Sequence, residues 1–167
     1  SASQMGRFET EVLAATDNRT VLADLSGHWI DRVHDRNPPK WITLDMDSSV
    51  SPTHGAQEGT AWNGHFGCMY YHPLFVFNQF GHLERCALRP GNVHSADGWE
   101  AVLKPVIARY ADRHLMRFFR GDAAFAIPEL YKTLEAESYF YAIRLRANRV
   151  LQGKIAHLLK RPMGRPP

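Results

Sequence analysis

Asp45 and Asp47 lie two residues apart in Trp41-Ile42-Thr43-Leu44-Asp45-Met46-Asp47, a short run rich in strand formers. In a strand both side chains leave the same face. They stand where an apolar strand runs out into a polar loop. Asp122 has a similar place, after a strand expected over residues 114–119 and the break Arg120-Gly121. Acids just past the carboxyl ends of neighbouring strands mark where open α/β sheets gather ligands. Carboxylate oxygens are the donors a hard cation such as Mg²⁺ prefers. Two such ions about 3.5–4 Å apart can activate an attacking oxygen and stabilise a leaving one in phosphoryl transfer. Taken singly, an Asp after a strand is more often a turn former or helix cap. For Asp122 the next expected helix begins too far on for a direct cap.

Other chemistries have weaker anchors. His65, Cys68, His72, His82 and Cys86 are zinc-ligand types within a short stretch. They fall on expected strands, where residues three apart face opposite ways, and the paired short Cys spacings of structural zinc sites are missing. There is no G-x-S-x-G elbow and no P-loop, which leaves acyl transfer and nucleotide hydrolysis without a motif. The aromatic run over residues 66–80 reads as core rather than as a stacking platform for bases.

The acids need elements to bring them together. Residues 8–16 and 20–33 read as helices, the second carrying Val21, Leu22, Leu25, Trp29, Ile30 and Val33 as one apolar stripe. Asn37-Pro38-Pro39 ends it and forms the clearest boundary in the chain. A strand over 41–47 leads into a loop over 48–64, punctuated by Pro52, Gly55, Gly59 and Gly64. Residues 66–80, interrupted at Pro73, read as two strand pieces or one bent strand, and Gly81-His82 turns into a partner strand over 83–88. Ser95 offers an N-cap to a helix over 97–111, which Pro105 is expected to kink or split. A strand over 114–119, a helix over 127–137 with Pro128 in its first turn, a strand over 139–145 and a helix over 148–159 complete the order. Three strands in hairpin succession, then alternating helices and strands, imply an α/β fold with a mixed sheet covered by helices.

The 167 residues suit one ordinary domain, and 44% apolar with 22% charged residues allow a sizeable core. No apolar run approaches the roughly 20 residues of a membrane span. Two cysteines make no disulfide framework, which suits a reducing cytoplasm. The net charge of +3 is uneven: Arg149, Lys154, Lys160, Arg161 and Arg165 form a basic end without an acid. Such an end is compatible with phosphate contact or with a solvated helix end.

Residues 44–59 read Leu-Asp-Met-Asp-Ser-Ser-Val-Ser-Pro-Thr-His-Gly-Ala-Gln-Glu-Gly. There follow, in order, Trp62-Asn63-Gly64-His65-Phe66, Tyr71-His72-Pro73-Leu74, Leu88-Arg89-Pro90-Gly91-Asn92-Val93-His94-Ser95, Phe119-Arg120-Gly121-Asp122-Ala123-Ala124-Phe125, and Tyr141 with Asn148 and Leu151. In this series the chain resembles the bacterial insertion-sequence transposases of the DDE type. Their first motif reads close to L-D-x-D-x-T-x-x-P-x-H-G-x-Q-E-G, and a later one reads F-R-G-D-S-G-F. The resemblance implies a ribonuclease H-like fold, a five-stranded mixed sheet flanked by helices. It also implies an enzyme that cuts element ends and joins them to target DNA, with Mg²⁺ (or Mn²⁺) held by two Asp and one Glu. Carried over, Asp122 is the second acid. The D-x-T portion falls on Asp47-Ser48-Ser49, which makes Asp47 the first, with Asp45 as runner-up or supporting group. The implied partners are terminal inverted repeats and target DNA, the implied assembly a homodimer, and the implied place the bacterial cytoplasm at the nucleoid, away from membranes.

The chain departs from the pattern at Ser49, where the family has Thr, and at Ala123-Ala124 in place of Ser-Gly. The third acid belongs to a Y-N-x-R-G-x-x-E-like motif on a later helix, and nothing here matches it. Glu135 and Glu137 precede the fifth strand, the wrong place for that role. The expectation is therefore a helical preamble at 1–38, a partial catalytic domain at 39–160 and a basic Pro-rich end at 161–167. It would be a piece truncated at both ends and inactive or nearly so alone. The competing readings are a non-catalytic remnant or DNA-binding regulatory piece of a broken element, and a general nuclease on the same fold.

Overall fold

A computed structural model describes residues 1–55, 57–64 and 67–158. The expectations that fall on His65, Phe66 and the chain from 159 onward lie outside the described residues. The chain opens with α1 (Ala2–Arg7), a π-helical segment (Phe8–Leu13) and α2 (Thr16–Arg36). Asn37 leaves helical geometry at φ −140°, ψ 80°, as the residue before a proline must.

The strands that follow are β1 (Trp41–Ser48), β2 (Ser51–Pro52), β3 (Ala61–Asn63), β4 (Cys68–Tyr71), β5 (Leu74–Asn78) and β6 (Leu83–Ala87). Then come α3 (Trp99–Tyr110), β7 (Met116–Gly121), a 3₁₀ turn (Ala123–Phe125), α4 (Pro128–Ala136), β8 (Phe140–Ile143) and α5 (Arg149–Ile155). The main sheet has the order β6-β5-β1-β7-β8. β1 is antiparallel to β5 and parallel to β7, and β7 is parallel to β8. This is the mixed sheet expected from the order of elements, and its five strands agree with the ribonuclease H-like fold that the resemblance implies.

β1 is the middle strand, and its alternation decides where the site lies. Ile42, Leu44 and Met46 are buried, whereas Asp45 and Asp47 leave the opposite face. The buried face meets Val102, Leu103, Val106 and Tyr110 of α3, with Phe119 of β7 and Leu130 and Leu134 of α4 in the same core. Each fully buried aliphatic side chain contributes about 1.5–3 kcal/mol. That anchoring fixes β1 and so the direction of its two carboxylates.

Several expectations are corrected. The segment read as a loop over 48–64 contains β2 and β3, which pair with β4 in a separate three-stranded sheet. β7 runs through Arg120 and Gly121 instead of stopping at Phe119, because parallel pairing with β1 continues to Met46↔Gly121. Ser95 does not cap α3; Gly98, left-handed at φ 68°, precedes it. Pro105 does not divide α3: the carbonyl it cannot bond belongs to Ala101, an exposed position that water reaches.

The largest correction concerns α2. Leu22, Leu25, Trp29 and Val33 of its apolar stripe are exposed. The helix docks through another face. Asp24 pairs with Arg85, the Ser26 hydroxyl donates to the Glu84 carbonyl at 3.3 Å, and Asp31 receives Arg109 and Arg113 at 3.2 and 3.0 Å. A Cβ on Gly27 would overlap the Arg109 guanidinium, which would have to shift from its present place between α2 and Glu84. Beneath it Glu84, wholly buried, receives Asn78 Nδ2 at 2.7 Å, the Tyr110 hydroxyl at 2.8 Å and Arg109 Nη2 at 2.9 Å. Burial, then the Glu84 charge, pushes the Tyr110 hydroxyl well above its usual pKa. Among the described residues no helix is long and apolar enough to cross a membrane.

Candidate functional site

The register of β1 against β7 places the acids. Asp45 pairs with Arg120 and Met46 with Gly121, so Asp122, one residue further, comes level with Asp47. Neighbouring strands run about 4.8 Å apart. Asp47 and Asp122 thus stand side by side at the carboxyl ends of two adjacent parallel strands, and both line one groove with Arg120 and Arg144.

Local backbone sets each carboxylate. Asp47 Oδ1 accepts from the Ser48 N–H at 2.8 Å, and Asp122 Oδ1 accepts from the Ala124 N–H at 2.9 Å. Asp122 does not cap α4, whose N-cap is Ile127, but it does cap the short 3₁₀ turn that precedes it. The turn sits tight: a Cβ on Gly121 would stand 3.2 Å from Phe119 Cε1 and 3.4 Å from Phe125. Among the described residues the second oxygen of each carboxylate has no protein partner. Two exposed carboxylates with free oxygens suit Mg²⁺, which is held by one or two carboxylates and keeps several waters or substrate oxygens. The residues present fit such an ion, with two donors rather than three: no group of three or more His, Cys, Asp or Glu is arranged for a metal among the described residues.

Asp45 is placed differently. Arg120 grips it with both ends of one guanidinium edge, Nε to Oδ1 and Nη2 to Oδ2, each 2.5 Å. The hydrogen bonds to Asp45, then its charge, hold the Arg120 pKa above its ordinary value. Both of Asp45's oxygens are thereby engaged by a side chain, whereas Asp47 and Asp122 each keep one oxygen without a partner among the described residues.

Glu135 and Glu137 do not line the groove of Asp47 and Asp122. The Glu137 carbonyl accepts from Arg117 near the start of β7, at 3.2 Å, and Glu135 receives the Tyr141 hydroxyl at 2.8 Å. Arg117 and Asp122 are five residue steps apart along the chain, roughly 16 Å in extended backbone. Of the zinc-type residues, Cys68 lies in β4 of the small sheet and Cys86 in β6 of the main one, both as free thiols. His72 Nδ1 is engaged with the Val93 carbonyl at 3.0 Å.

Sequence reasoning passed over Arg120, Arg144 and Arg89. In the sequence Arg120 stands in a break and in the Phe119-Arg120-Gly121-Asp122 motif with no role of its own, although its charge beside the acid was the signal available. Arg89 is buried, donating to the carbonyls of His72, His94, Ser95 and Asp97 at 2.8, 3.3, 3.0 and 2.5 Å. Gly91 lies so close to the small sheet that a Cβ would stand 2.3 Å from the Tyr70 carbonyl. The Arg89-Pro90-Gly91 motif therefore builds the loop that ties the small sheet to α3.

A family model for the transposase DDE domain, group 1, matches residues 1–166. No curated protein matches the chain by sequence. Among solved structures, the chain is similar to piggyBac transposase in a synaptic complex with hairpin DNA, at 17% identity and TM-score 0.46, over 78% of this chain and 27% of that one. It is similar to the Mos1 strand transfer complex at 16% identity and TM-score 0.41, over 82% and 47% of the two chains. The catalytic domain of Mos1 mariner transposase aligns at 12% identity and TM-score 0.43, over 82% of this chain and 69% of that one. The chain spans about a quarter of the first of these and about half of the second.

Proposed function

The chain belongs to the DDE transposase family, and from that premise we propose that it is the front part of the catalytic machinery of a bacterial insertion-sequence transposase, with Asp47 and Asp122 as its metal-binding acids. The observation that carries this reading is the register of β1 and β7, which sets the two carboxylates level on adjacent strand ends with one oxygen of each left free. A divalent cation, Mg²⁺ or Mn²⁺, would supply activation of an attacking oxygen and charge neutralisation on the phosphodiester. The protein's part is orientation. The Ser48 and Ala124 N–H groups fix one oxygen of each acid, and the packed Phe119 and Phe125 hold the turn that carries Asp122.

In this reading the substrates are terminal inverted repeats and target DNA, handled by a homodimer at the bacterial nucleoid. Residues 1–38 form the end of a helical, DNA-associated region, 39–160 part of the catalytic domain, and 161–167 a basic Pro-rich end. The third acid is a glutamate that the described residues do not supply in the groove. That same lack favours a second reading, a non-catalytic remnant that binds DNA or regulates. The two are separated by incubating the chain with labelled duplex carrying the element's terminal repeat, with and without Mg²⁺. The first reading expects repeat-selective binding, strengthened by the cation in the wild type but not in Asp47→Asn or Asp122→Asn, with little cleavage. Sequence-blind binding indifferent to the cation overturns it. Mg²⁺-dependent cleavage abolished by Asp47→Asn would instead overturn the incomplete-site part alone.

A further inference from the structure

Arg120 has five N–H donors in a rigid fork. Asp45 takes two of them on one edge, Nε–H and one N–H of Nη2. The outer edge, made by Nη1 and the remaining N–H of Nη2, has no partner among the described residues, and the side chain is 59% exposed. It lines the groove that holds Asp47 and Asp122 and also the neighbouring one beside Phe75 and Phe77. Pinning a long surface side chain costs rotamer freedom, and the two-point grip of Asp45 on Arg120 is the geometry that best offsets that cost. Asp45 restrains Arg120 by one edge and leaves the outer edge directed to solvent next to the acids.

We propose that Arg120 receives a DNA phosphate oxygen through its outer guanidinium edge, beside the Asp47–Asp122 pair, and that Asp45 is a positioning residue for Arg120 rather than a metal ligand. This rests on the DNA-handling reading above and adds to it the group that seats the backbone. The fork is what makes the double contact feasible: a guanidinium serves a carboxylate on one edge and a phosphate on the other. A lysine ammonium at the same place is a single point charge and would be captured by Asp45.

The test is fluorescence anisotropy of a short labelled DNA duplex, titrated at several salt concentrations in Ca²⁺. The wild type is compared with Arg120→Ala, Arg120→Lys, Asp45→Asn and the double variants. Losing one phosphate contact lowers the salt slope by about 0.9 and weakens binding roughly five- to tenfold near 0.1 M salt. Arg120→Ala and Arg120→Lys are both expected to show this loss, although the lysine variant keeps the net charge. Adding Asp45→Asn to Arg120→Lys frees the ammonium and recovers most of the slope, whereas adding it to Arg120→Ala does not. An Arg120→Lys variant indistinguishable from wild type overturns the proposal, since charge alone then suffices. Unchanged binding in Arg120→Ala overturns it too, and a wild type that binds no duplex at any salt overturns this proposal and the DNA reading together. Mn²⁺ uptake read by the free-ion electron paramagnetic resonance signal on the same samples separates the metal reading. Asp45→Asn retains uptake and Asp47→Asn loses it if Asp45 is no ligand; loss of uptake in Asp45→Asn overturns that half of the proposal.

Discussion

Asp122 has two duties that substitution can separate. Its Oδ1 caps the 3₁₀ turn through the Ala124 N–H, and its other oxygen is free. Asparagine keeps a capping oxygen, so Asp122→Asn is expected to leave stability unchanged, whereas Asp122→Ala loses about 1 kcal/mol in urea unfolding. Both variants should weaken Mn²⁺ binding about tenfold or more, because each removes one of two charged donors. The residue types at 47 and 122 were legible in the sequence because acids at strand ends form a local pattern. The pairing of Asp45 with Arg120 was not. It depends on the β1–β7 register, and no stretch of sequence near either residue specifies which position on one parallel strand faces which on the other.

At the scale of elements, α2 is the instructive case. Its period was legible and its orientation was not: hydrophobic spacing marks an apolar face, but Asp24, Gly27, Asp31 and His34 form another face matched to Arg85, Arg109 and Arg113. Ile30→Ala should therefore cost about 2–4 kcal/mol by urea unfolding, while Trp29→Ala, one residue away and 59% exposed, stays within about 0.5 kcal/mol. The reverse ranking would mean that the helix docks by the members of its apolar stripe other than Ile30, which are exposed here. His34 gives this contact a pH dependence. Its ring is 2% exposed, and neither nitrogen has a partner among the described residues. Burial chiefly lowers its pKa from 6.5; Glu84 and Asp31 pull it up, Arg113 and His82 pull it down. With the folded-state pKa depressed, the unfolded chain binds the proton better. Stability is then complete above the unfolded value of 6.5 and falls as the pH drops below it toward the folded value. The urea midpoint should drop between about pH 7.5 and about pH 5.5, and drop less in His34→Leu.

Across the whole molecule, the strand and helix order carried the mixed sheet, since hairpin strands followed by alternating helices and strands leave few topologies. The small sheet was missed because β2 and β3 are two and three residues long, too short for any periodicity. Glu84 joins the sheet, α3 and, through Arg109 and Asp31, α2. Removing it strands the Tyr110 hydroxyl, the Asn78 amide and the Arg109 charge, so Glu84→Ala should cost about 3–5 kcal/mol in a single cooperative transition. The pairing of β1 with β7, and the packing of its buried face in the core, keep Asp47 level with Asp122. The most direct test of that claim is Mn²⁺ titration of the ¹⁵N-labelled chain by NMR. The account expects paramagnetic broadening centred on Asp47, Ser48 and residues 121–124, and its loss in either Asp47→Asn or Asp122→Asn. Broadening elsewhere, or broadening at this groove that survives both substitutions, would contradict it.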